Sequence, residues 1–212
     1  MKISIIGSGA MGSLYGGMLS RAGHDVVLFD ISREHVEAIR GSGLAIEQAG
    51  SSEVLTCRPA ATTDPGDTRG SDVMIVFVKS TSTEEAARQF APLAGTGTIA
   101  LTLQNGLGNE AILRKHFGVE RTAAGVTSQG ATFLGPGRIR HAGKGPTHIA
   151  MADGSHRRLV AFATALVNGL RSGDQLELIE FSDQPRRFRP APVRVRVQQV
   201  QVQRSPPGPA AE

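Results

Sequence analysis

The first twelve residues, Met1-Lys-Ile-Ser-Ile-Ile-Gly-Ser-Gly-Ala-Met-Gly12, decide the fold class of this 212-residue chain. Residues 2–6 are mostly β-branched and apolar, which predicts a buried strand, and apolar side chains recur at helical spacing from Ala10 onward. The turn between them reads G-x-G-x-x-G and consists of Gly7, Ser8, Gly9, Ala10, Met11 and Gly12. In a strand–turn–helix context this pattern is typical of a loop that binds the diphosphate of a dinucleotide. The alternative is a glycine-rich turn without a ligand, since the chain holds 26 glycines.

Each glycine of the pattern has a separate physical reason. Gly7 permits the tight turn, Gly9 lets a diphosphate approach the backbone without meeting a Cβ, and Gly12 permits close packing of helix on strand. The unpaired N–H groups and the positive dipole end of the following helix then favour an anion at the same place.

A second strand is predicted at residues 25–29, and the residue that follows it helps to decide which dinucleotide binds. Asp30 stands where an acid usually accepts the hydroxyls of the adenine ribose, which favours NAD. Arg33 follows three residues later and could meet a 2′-phosphate, which favours NADP, or it could be a solvated residue at a helix start. The sequence leaves NADP and NAD both open.

Short apolar runs alternate with helical patterns along the first 170 residues, which predicts an α/β fold: a Rossmann-type, doubly wound, mostly parallel sheet. Further strands are predicted at residues 44–48, 53–58, 72–78, 98–103, 123–127, 138–141 and 147–151. Ser32, Ser82 and Asn109 are predicted to cap helices, with Ser82 and Glu85 forming a capping box. A last amphipathic helix is predicted at residues 157–170.

Two polar residues follow apolar strands of this sheet. Lys79 comes after residues 72–78, and Asn105 comes after residues 98–103. Because ligands of open α/β sheets bind outside the carboxyl ends of the strands, both are candidate site residues. The alternatives are a solvated lysine at a strand end and an ordinary Asn-Gly turn.

Composition excludes several classes of function. A net charge of +4 without a basic cluster, and 4% aromatic residues without Trp, argue against a nucleic-acid partner. The single cysteine, Cys57, cannot form an intrachain disulfide and favours a cytoplasmic location. The apolar start is too short for a membrane segment. His141 and His148 lack metal-ligand spacing and are interpreted as structural, and Asp64 and Asp67 as turn residues, so no metal is expected.

Several segments together resemble the ketopantoate reductase (2-dehydropantoate 2-reductase) family over roughly residues 1–170. They are residues 1–12, Val78-Lys79, Leu103-Gln-Asn-Gly-Leu-Gly-Asn109, residues 125–131, and Gly135-Pro-Gly-Arg-Ile-Arg-His-Ala-Gly143. The resemblance implies NADPH-dependent reduction of ketopantoate to pantoate on the route to pantothenate and coenzyme A. It also implies that Lys79, Asn105 and Gly130 line the nicotinamide-ribose side of the site and that Asn105 touches the keto acid substrate.

The last 42 residues differ from the rest. Residues 171–212 are rich in Arg, Pro, Val and Gln, and we expect them to form a disordered tail after a Rossmann domain at 1–170. The resemblance implies a second, helical domain that carries a lysine as the catalytic acid. No lysine follows Lys144, so no catalytic residue is assigned and the chain is expected to be inactive or impaired.

Three interpretations remain open. The first is a truncated or frame-shifted reductase with an uncovered apolar face and therefore a tendency to form a homodimer. The second is a non-catalytic module that binds a nicotinamide nucleotide. The third is another β-hydroxyacid dehydrogenase, against which the segment at residues 103–109 argues.

Overall fold

The computed structural model describes residues 1–153 and the backbone of residues 176–178. Twelve strands occur in this part of the chain: β1 Lys2–Ile6, β2 Asp25–Phe29, β3 Leu44–Gln48, β4 Val54–Cys57, β5 Ala60–Thr62, β6 Val73–Val76, β7 Ile99–Thr102, β8 Thr122–Thr127, β9 Gly130–Gly135, β10 Arg138–Gly143, β11 Thr147–Met151 and β12 Leu176–Leu178. The helices are α1 Ala10–Arg21, α2 Arg33–Ser42, α3 Thr83–Phe90 and α4 Asn109–Phe117.

The larger sheet has the strand order β5-β2-β1-β6-β7-β8-β11-β12. All of its neighbours are parallel except β11, which runs antiparallel to β8. The order reverses between β1 and β6, so a crevice opens there outside the carboxyl ends of the strands. This arrangement confirms the predicted α/β, Rossmann-type, mostly parallel sheet.

Two apolar cores cover the two faces of this sheet, which is why its strands are almost wholly apolar. Ile3 and Ile5 of β1 pack with α1 and α2, whereas Ile6 points into the core formed with α3 and α4. In that second core the rings of Phe29 and Phe90 meet edge to face, with centroids 4.8 Å apart.

A second sheet, with the order β4-β3-β10-β9, packs on the other side of α1. Two consecutive glycines let α1 fit between the sheets. An added Cβ on Gly16 would collide with the Leu28 side chain of the larger sheet, and one on Gly17 would lie 2.7 Å from Ile46 Cδ1 of the smaller sheet. The sequence predicted β3, β4 and β10 but neither β9 nor this second layer.

Of the three residues predicted to cap helices, one does so in the structure and two do not. The Ser32 hydroxyl accepts a hydrogen bond from the His35 amide at 3.3 Å, so Ser32 caps α2 as predicted. Ser82 makes no capping hydrogen bond, because a 3-10 turn at Ser80–Ser82 leads into α3. Gly108, with a φ of +89°, occupies the cap position of α4, and Asn109 is the first helical residue.

Several predictions fall on residues that the structure does not describe: the helix at 157–170, the domain boundary at 170 and most of the tail at 171–212. Within that tail only the backbone of β12 is described, and it pairs in parallel with β11. Among the described residues, none of the helices has the length and apolar character needed to cross a membrane.

Candidate nucleotide-binding site

The turn from β1 into α1, residues 7–12, is a corner with no room for a side chain at Gly7 or Gly12. We call it the glycine corner. Gly7 has a φ of +93°, and an added Cβ there would lie 2.8 Å from the backbone nitrogen of Val78. An added Cβ on Gly12 would collide with the carbonyl oxygen of Gly7 and lie 3.0 Å from Ile5 Cγ2. Backbone therefore packs directly on backbone at this corner.

The open side of the glycine corner is at Gly9. This residue is exposed, and an added Cβ would meet nothing within 4 Å. The amides of Gly7 and Ser8 are already occupied, since both donate to the carbonyl of Phe29, at 3.0 and 3.2 Å. The first turn of α1 has no side-chain cap, and its amides precede the first intrahelical bond. The free amides and the helix dipole thus face space that an anion could enter.

Asp30 lies beside the glycine corner at the end of β2. Its carboxylate accepts hydrogen bonds from the Ser8 hydroxyl at 3.3 Å and from the Ser32 amide at 3.0 Å. These two bonds hold a half-buried carboxylate at the rim of the crevice. Arg33, the first residue of α2, is exposed. The structure therefore brings Asp30 to the corner and leaves Arg33 on the surface of α2.

The loops after β6 and β7 are tied together by side chains. The Gln104 amide donates to the carbonyl of Val78 at 2.6 Å and to the Thr83 hydroxyl at 2.9 Å. Its own oxygen accepts from the Thr102 hydroxyl at 2.9 Å. Gln104 thus joins the end of β7 to the loop after β6 and to the start of α3.

Asn109 continues the same connection from the first turn of α4, where it is buried. Its amide nitrogen donates to the carbonyls of Asn105 and Gly106, each at 3.2 Å, and its oxygen accepts from the Thr83 hydroxyl at 2.9 Å. The Ser80 hydroxyl donates to the Asn105 carbonyl at 2.5 Å. We call Ser80, Thr83, Gln104 and Asn109 the loop clamp.

The loop clamp fixes the backbone that carries two predicted site residues. Lys79 directly precedes the 3-10 turn at Ser80–Ser82, and Asn105 precedes Gly106 in the loop before α4. Both side chains are exposed at the edge formed by the carboxyl ends of the parallel strands. The third predicted residue, Gly130, is the first residue of β9, where it pairs with Gly143.

A hydroxyl cluster connects α1 to the carboxyl end of β8. The Tyr15 hydroxyl donates to Thr127 Oγ1 at 2.7 Å and lies 2.6 Å from Thr147 Oγ1. Its ring lies 5.1 Å from that of Phe77, the residue after β6. Burial raises the pKa of Tyr15 above its usual value, against the lowering effect of the two threonine hydrogen bonds. A neutral tyrosine on α1 therefore contacts both the residue after β6 and the end of β8.

Sequence reasoning missed the loop clamp and the Tyr15 cluster. A signal for the clamp was present, because Ser80, Thr83, Gln104 and Asn109 all follow the ends of two apolar strands. Asn109 was assigned to capping instead. Tyr15 gave no separate signal, since it fits the apolar spacing of α1.

The residues predicted to be structural have protein partners. His141 Nε2 lies 2.7 Å from the Gln129 side-chain oxygen, Asp64 accepts from the Gly66 amide at 2.7 Å, and Asp67 accepts from the Thr62 hydroxyl at 2.6 Å. The described residues contain no group of three or more His, Cys, Asp or Glu side chains that could hold a metal ion.

Comparison with known proteins agrees with this geometry. A family model described as ketopantoate reductase PanE/ApbA matches residues 3–154. A 2-dehydropantoate 2-reductase of Halobacterium salinarum is 38% identical over 165 residues, which cover 78% of this chain and 54% of that protein. The chain spans about half the length of the curated relatives it matches.

Solved structures show the same likeness. A PanE/ApbA family ketopantoate reductase from Ralstonia eutropha JMP134 superposes with a TM-score of 0.74 at 34% identity, covering 87% of this chain and 57% of that one. A D-mandelate dehydrogenase, solved with NADH and anilino(oxo)acetate, superposes with a TM-score of 0.75 at 30% identity, covering 86% and 57%. The chain thus belongs to the PanE/ApbA ketopantoate reductase family, whose members named above are oxidoreductases.

Proposed function

We propose that the chain binds a nicotinamide nucleotide at the glycine corner and that its reaction is reduction of a 2-keto acid, with ketopantoate the first substrate to test. The observation that carries the proposal is the open Gly9 face of the glycine corner, next to loops that the clamp holds in place. Family membership supports the reaction class.

In this proposal the amides at the start of α1 bind the diphosphate, because the helix dipole and unpaired N–H groups favour an anion there. Gly7, Ser8 and Gly12 shape the corner, and Gly9, Ala10 and Met11 face the ligand. Bound nucleotide supplies a hydride for the keto carbon, and the resulting alkoxide must take up a proton.

The nicotinamide end of the nucleotide is assigned to the other side of the crevice. Lys79, Asn105 and Gly130 would line the nicotinamide ribose, and Asn105 would also contact the keto acid. The exposed side chains of Lys79 and Asn105, on backbone that the clamp fixes, support this assignment. A lysine and an amide in these positions can donate hydrogen bonds to ribose hydroxyls or to a keto oxygen.

Two nucleotides are candidates, and they differ at the adenine ribose. NADPH is the donor that the family resemblance implies, with exposed Arg33 as the partner of its 2′-phosphate. NADH is favoured by Asp30, because a carboxylate held by Ser8 and Ser32 accepts ribose hydroxyls and repels a phosphate. The related D-mandelate dehydrogenase solved with NADH supports this second choice.

We also propose that ketopantoate turnover by these 212 residues alone is slow. No lysine follows Lys144 to serve as the proton donor that the resemblance places in the remainder of the family's longer chains. A non-catalytic module that binds nicotinamide nucleotides is therefore the second candidate function, favoured by the same observation.

Location and assembly remain proposals too. We propose a cytoplasmic protein, because the single cysteine, Cys57, is a buried thiol whose pKa burial raises to about 11. We propose a homodimer, because the apolar side chains of Leu107, Val126 and Phe133 are exposed. Light scattering of the purified chain tests the homodimer.

Titration calorimetry tests the main proposal. The purified chain is titrated with NADPH and with NADH, and ketopantoate is then added while nicotinamide absorbance is followed. Binding with oxidation supports a reductase, and binding without oxidation supports the module. If neither nucleotide binds at millimolar concentration, the proposed function is wrong.

A further inference from the structure

His35 is a buried histidine that the proposed chemistry does not use. It lies on α2 with only 1% of its surface exposed, between α1 and the turn that joins β9 to β10. The Gly137 amide donates to its Nδ1 at 3.0 Å, and its Nε2 lies 3.1 Å from the Ser13 hydroxyl. Its ring also packs 5.1 Å from the ring of Phe133. The imidazole therefore links the second sheet to α1.

The hydrogen-bond directions around His35 follow from its neighbours. A backbone N–H can only donate, so Nδ1 accepts from Gly137 and the proton of the neutral ring is on Nε2. Nε2 then donates to the Ser13 hydroxyl, which donates its own proton to the Ser8 carbonyl at 2.6 Å. A single directed chain thus runs from the β9–β10 turn through His35 and Ser13 to the glycine corner.

This chain fixes the peptide between Ser8 and Gly9. In a trans peptide the C=O and N–H point in opposite directions. Holding the Ser8 carbonyl toward Ser13 therefore aims the Gly9 N–H away from α1, and Gly9 borders the open side of the corner. Rotation of this peptide would turn the N–H away from an incoming diphosphate.

We propose that His35 is a positioning residue for the glycine corner, which it fastens to the β9–β10 turn through Ser13 so that the Gly9 N–H faces the diphosphate. The inference rests on the proposed nucleotide site. It also connects that site to Gly130, because Gly137 follows the strand that Gly130 begins.

The protonation state of His35 matters for this link. Burial lowers the pKa of His35 below its ordinary value of 6.5, opposed by the negative charge of Asp30 and by the Ser8 carbonyl. Asp30, just after β2, is the charged group that faces it. The other neighbours are the Ser13 hydroxyl of α1, the Gly137 amide of the β9–β10 turn and the Phe133 ring of β9. A second proton on Nδ1 would face the Gly137 N–H and break that bond. The link is complete above the unfolded pKa near 6.5 and is lost as the pH falls through the lowered pKa of His35 in the folded protein.

Nuclear magnetic resonance of the full chain without ligand tests the link directly. We expect the Nε2–H tautomer of His35 and amide shifts of Gly9 and Gly12 that move with its titration between pH 8 and pH 5. His35→Gln removes this response, whereas His116→Gln, which alters a histidine of α4 that contacts Glu84 of α3, preserves it. If the corner amides ignore the titration of His35, or if His35→Gln retains the response, the proposal is wrong.

Binding of NAD+ provides the second measurement, since its diphosphate does not titrate in this pH range. At pH 8 we expect folded His35→Gln to bind NAD+ about tenfold more weakly than wild type. As the pH is lowered, we expect the NAD+ affinity of the wild type to decrease and that of His35→Gln to stay constant. Unchanged affinity in the folded variant contradicts the proposal. If wild type binds no nucleotide at all, the proposed function fails, and the resonance measurement still decides the role of His35.

Discussion

The glycine corner and the loop clamp lie at the same edge of the larger sheet but are built in opposite ways. At the corner, residues without side chains let Gly7, Gly12 and Val78 bring their backbones into contact. In the clamp, hydrogen bonds from four polar side chains hold two loops together. The corner is therefore sensitive to added atoms, and the clamp is sensitive to lost hydrogen-bond partners.

The two regions are also assigned to different parts of the proposed ligand. The corner faces the diphosphate, and the clamp supports the residues assigned to the nicotinamide end. ADP, which carries the diphosphate without nicotinamide, therefore separates them: a corner variant should lose ADP, and a clamp variant should keep it.

Gly12→Ala should have the largest effect. Its Cβ would meet the Gly7 carbonyl and the Ile5 side chain, so we expect a loss of about 3 kcal/mol in the free energy of unfolding and no measurable binding of ADP or NAD+. Chemical denaturation and calorimetry measure the two effects. Gly41→Ala is the control, since its Cβ meets nothing within 4 Å and should change stability by less than about 1 kcal/mol. Normal ADP binding by Gly12→Ala would show that the corner is not the diphosphate site.

Asn109→Ala should have the next largest effect and should break only the clamp. It removes the side-chain donor to the Gly106 carbonyl, one of two donors to the Asn105 carbonyl and the acceptor of the Thr83 hydroxyl proton, so we expect a loss of about 2 to 3 kcal/mol in stability. ADP affinity should stay within a factor of about two, and the additional affinity that NAD+ gains from its nicotinamide riboside should disappear.

The neighbouring Glu110→Ala is the matched control for Asn109→Ala. It removes only a surface ion pair with Arg114, which typically contributes less than about 1 kcal/mol. Equal loss of ADP and NAD+ affinity in Asn109→Ala would contradict the division of the ligand between the two regions.

Asp30→Ala should change nucleotide preference rather than stability. Removing a carboxylate that repels the 2′-phosphate should raise the ratio of NADP+ to NAD+ affinity about tenfold. Glu34→Ala, which removes an exposed carboxylate from the first turn of α2, should leave the ratio unchanged. An unchanged ratio in Asp30→Ala would place the adenine ribose elsewhere.

Ser80→Ala should have the smallest effect, because Ser80 is exposed and Asn109 still holds the Asn105 carbonyl. We expect a loss of roughly 0.5 to 1 kcal/mol and near-normal NAD+ affinity, measured beside the exposed Thr81→Ala control. A loss as large as that of Asn109→Ala would mean that Ser80, and not Asn109, carries the clamp.

The helix starts show where local patterns stop being sufficient. Ser32 caps α2 as predicted, because its hydroxyl accepts from the His35 amide in the first turn of its own helix. Ser82 and Asn109 also matched capping patterns, but Ser82 ends a 3-10 turn without a capping hydrogen bond and Gly108 takes the cap position of α4. Asn109 binds the Asn105 and Gly106 carbonyls just upstream and the Thr83 hydroxyl of α3, so a contact with a distant helix also fixes its side chain.

The second sheet shows the same limit for strands. Residues 130–135 are glycine-containing and partly exposed, so they give no clear strand pattern, yet β9 pairs with β10 and completes the layer over α1. The parallel pairing of β10 with β3 joins residues more than ninety positions apart in the chain, at Arg138 and Ala45. Gly16 and Gly17 could have indicated two layers on α1, because consecutive small residues in a helix permit close packing on both sides.

The sequence by itself determined the glycine corner, the alternation of strands and helices and the position of Asp30, because each depends on backbone freedom and apolar spacing within a few residues. Only the tertiary structure decided which polar groups from different helices, strands and loops pair with one another: the loop clamp, the Tyr15 cluster and the path from His35 to Ser8. Those pairings depend on the order of strands in the sheets, which brings together groups that are distant in the chain.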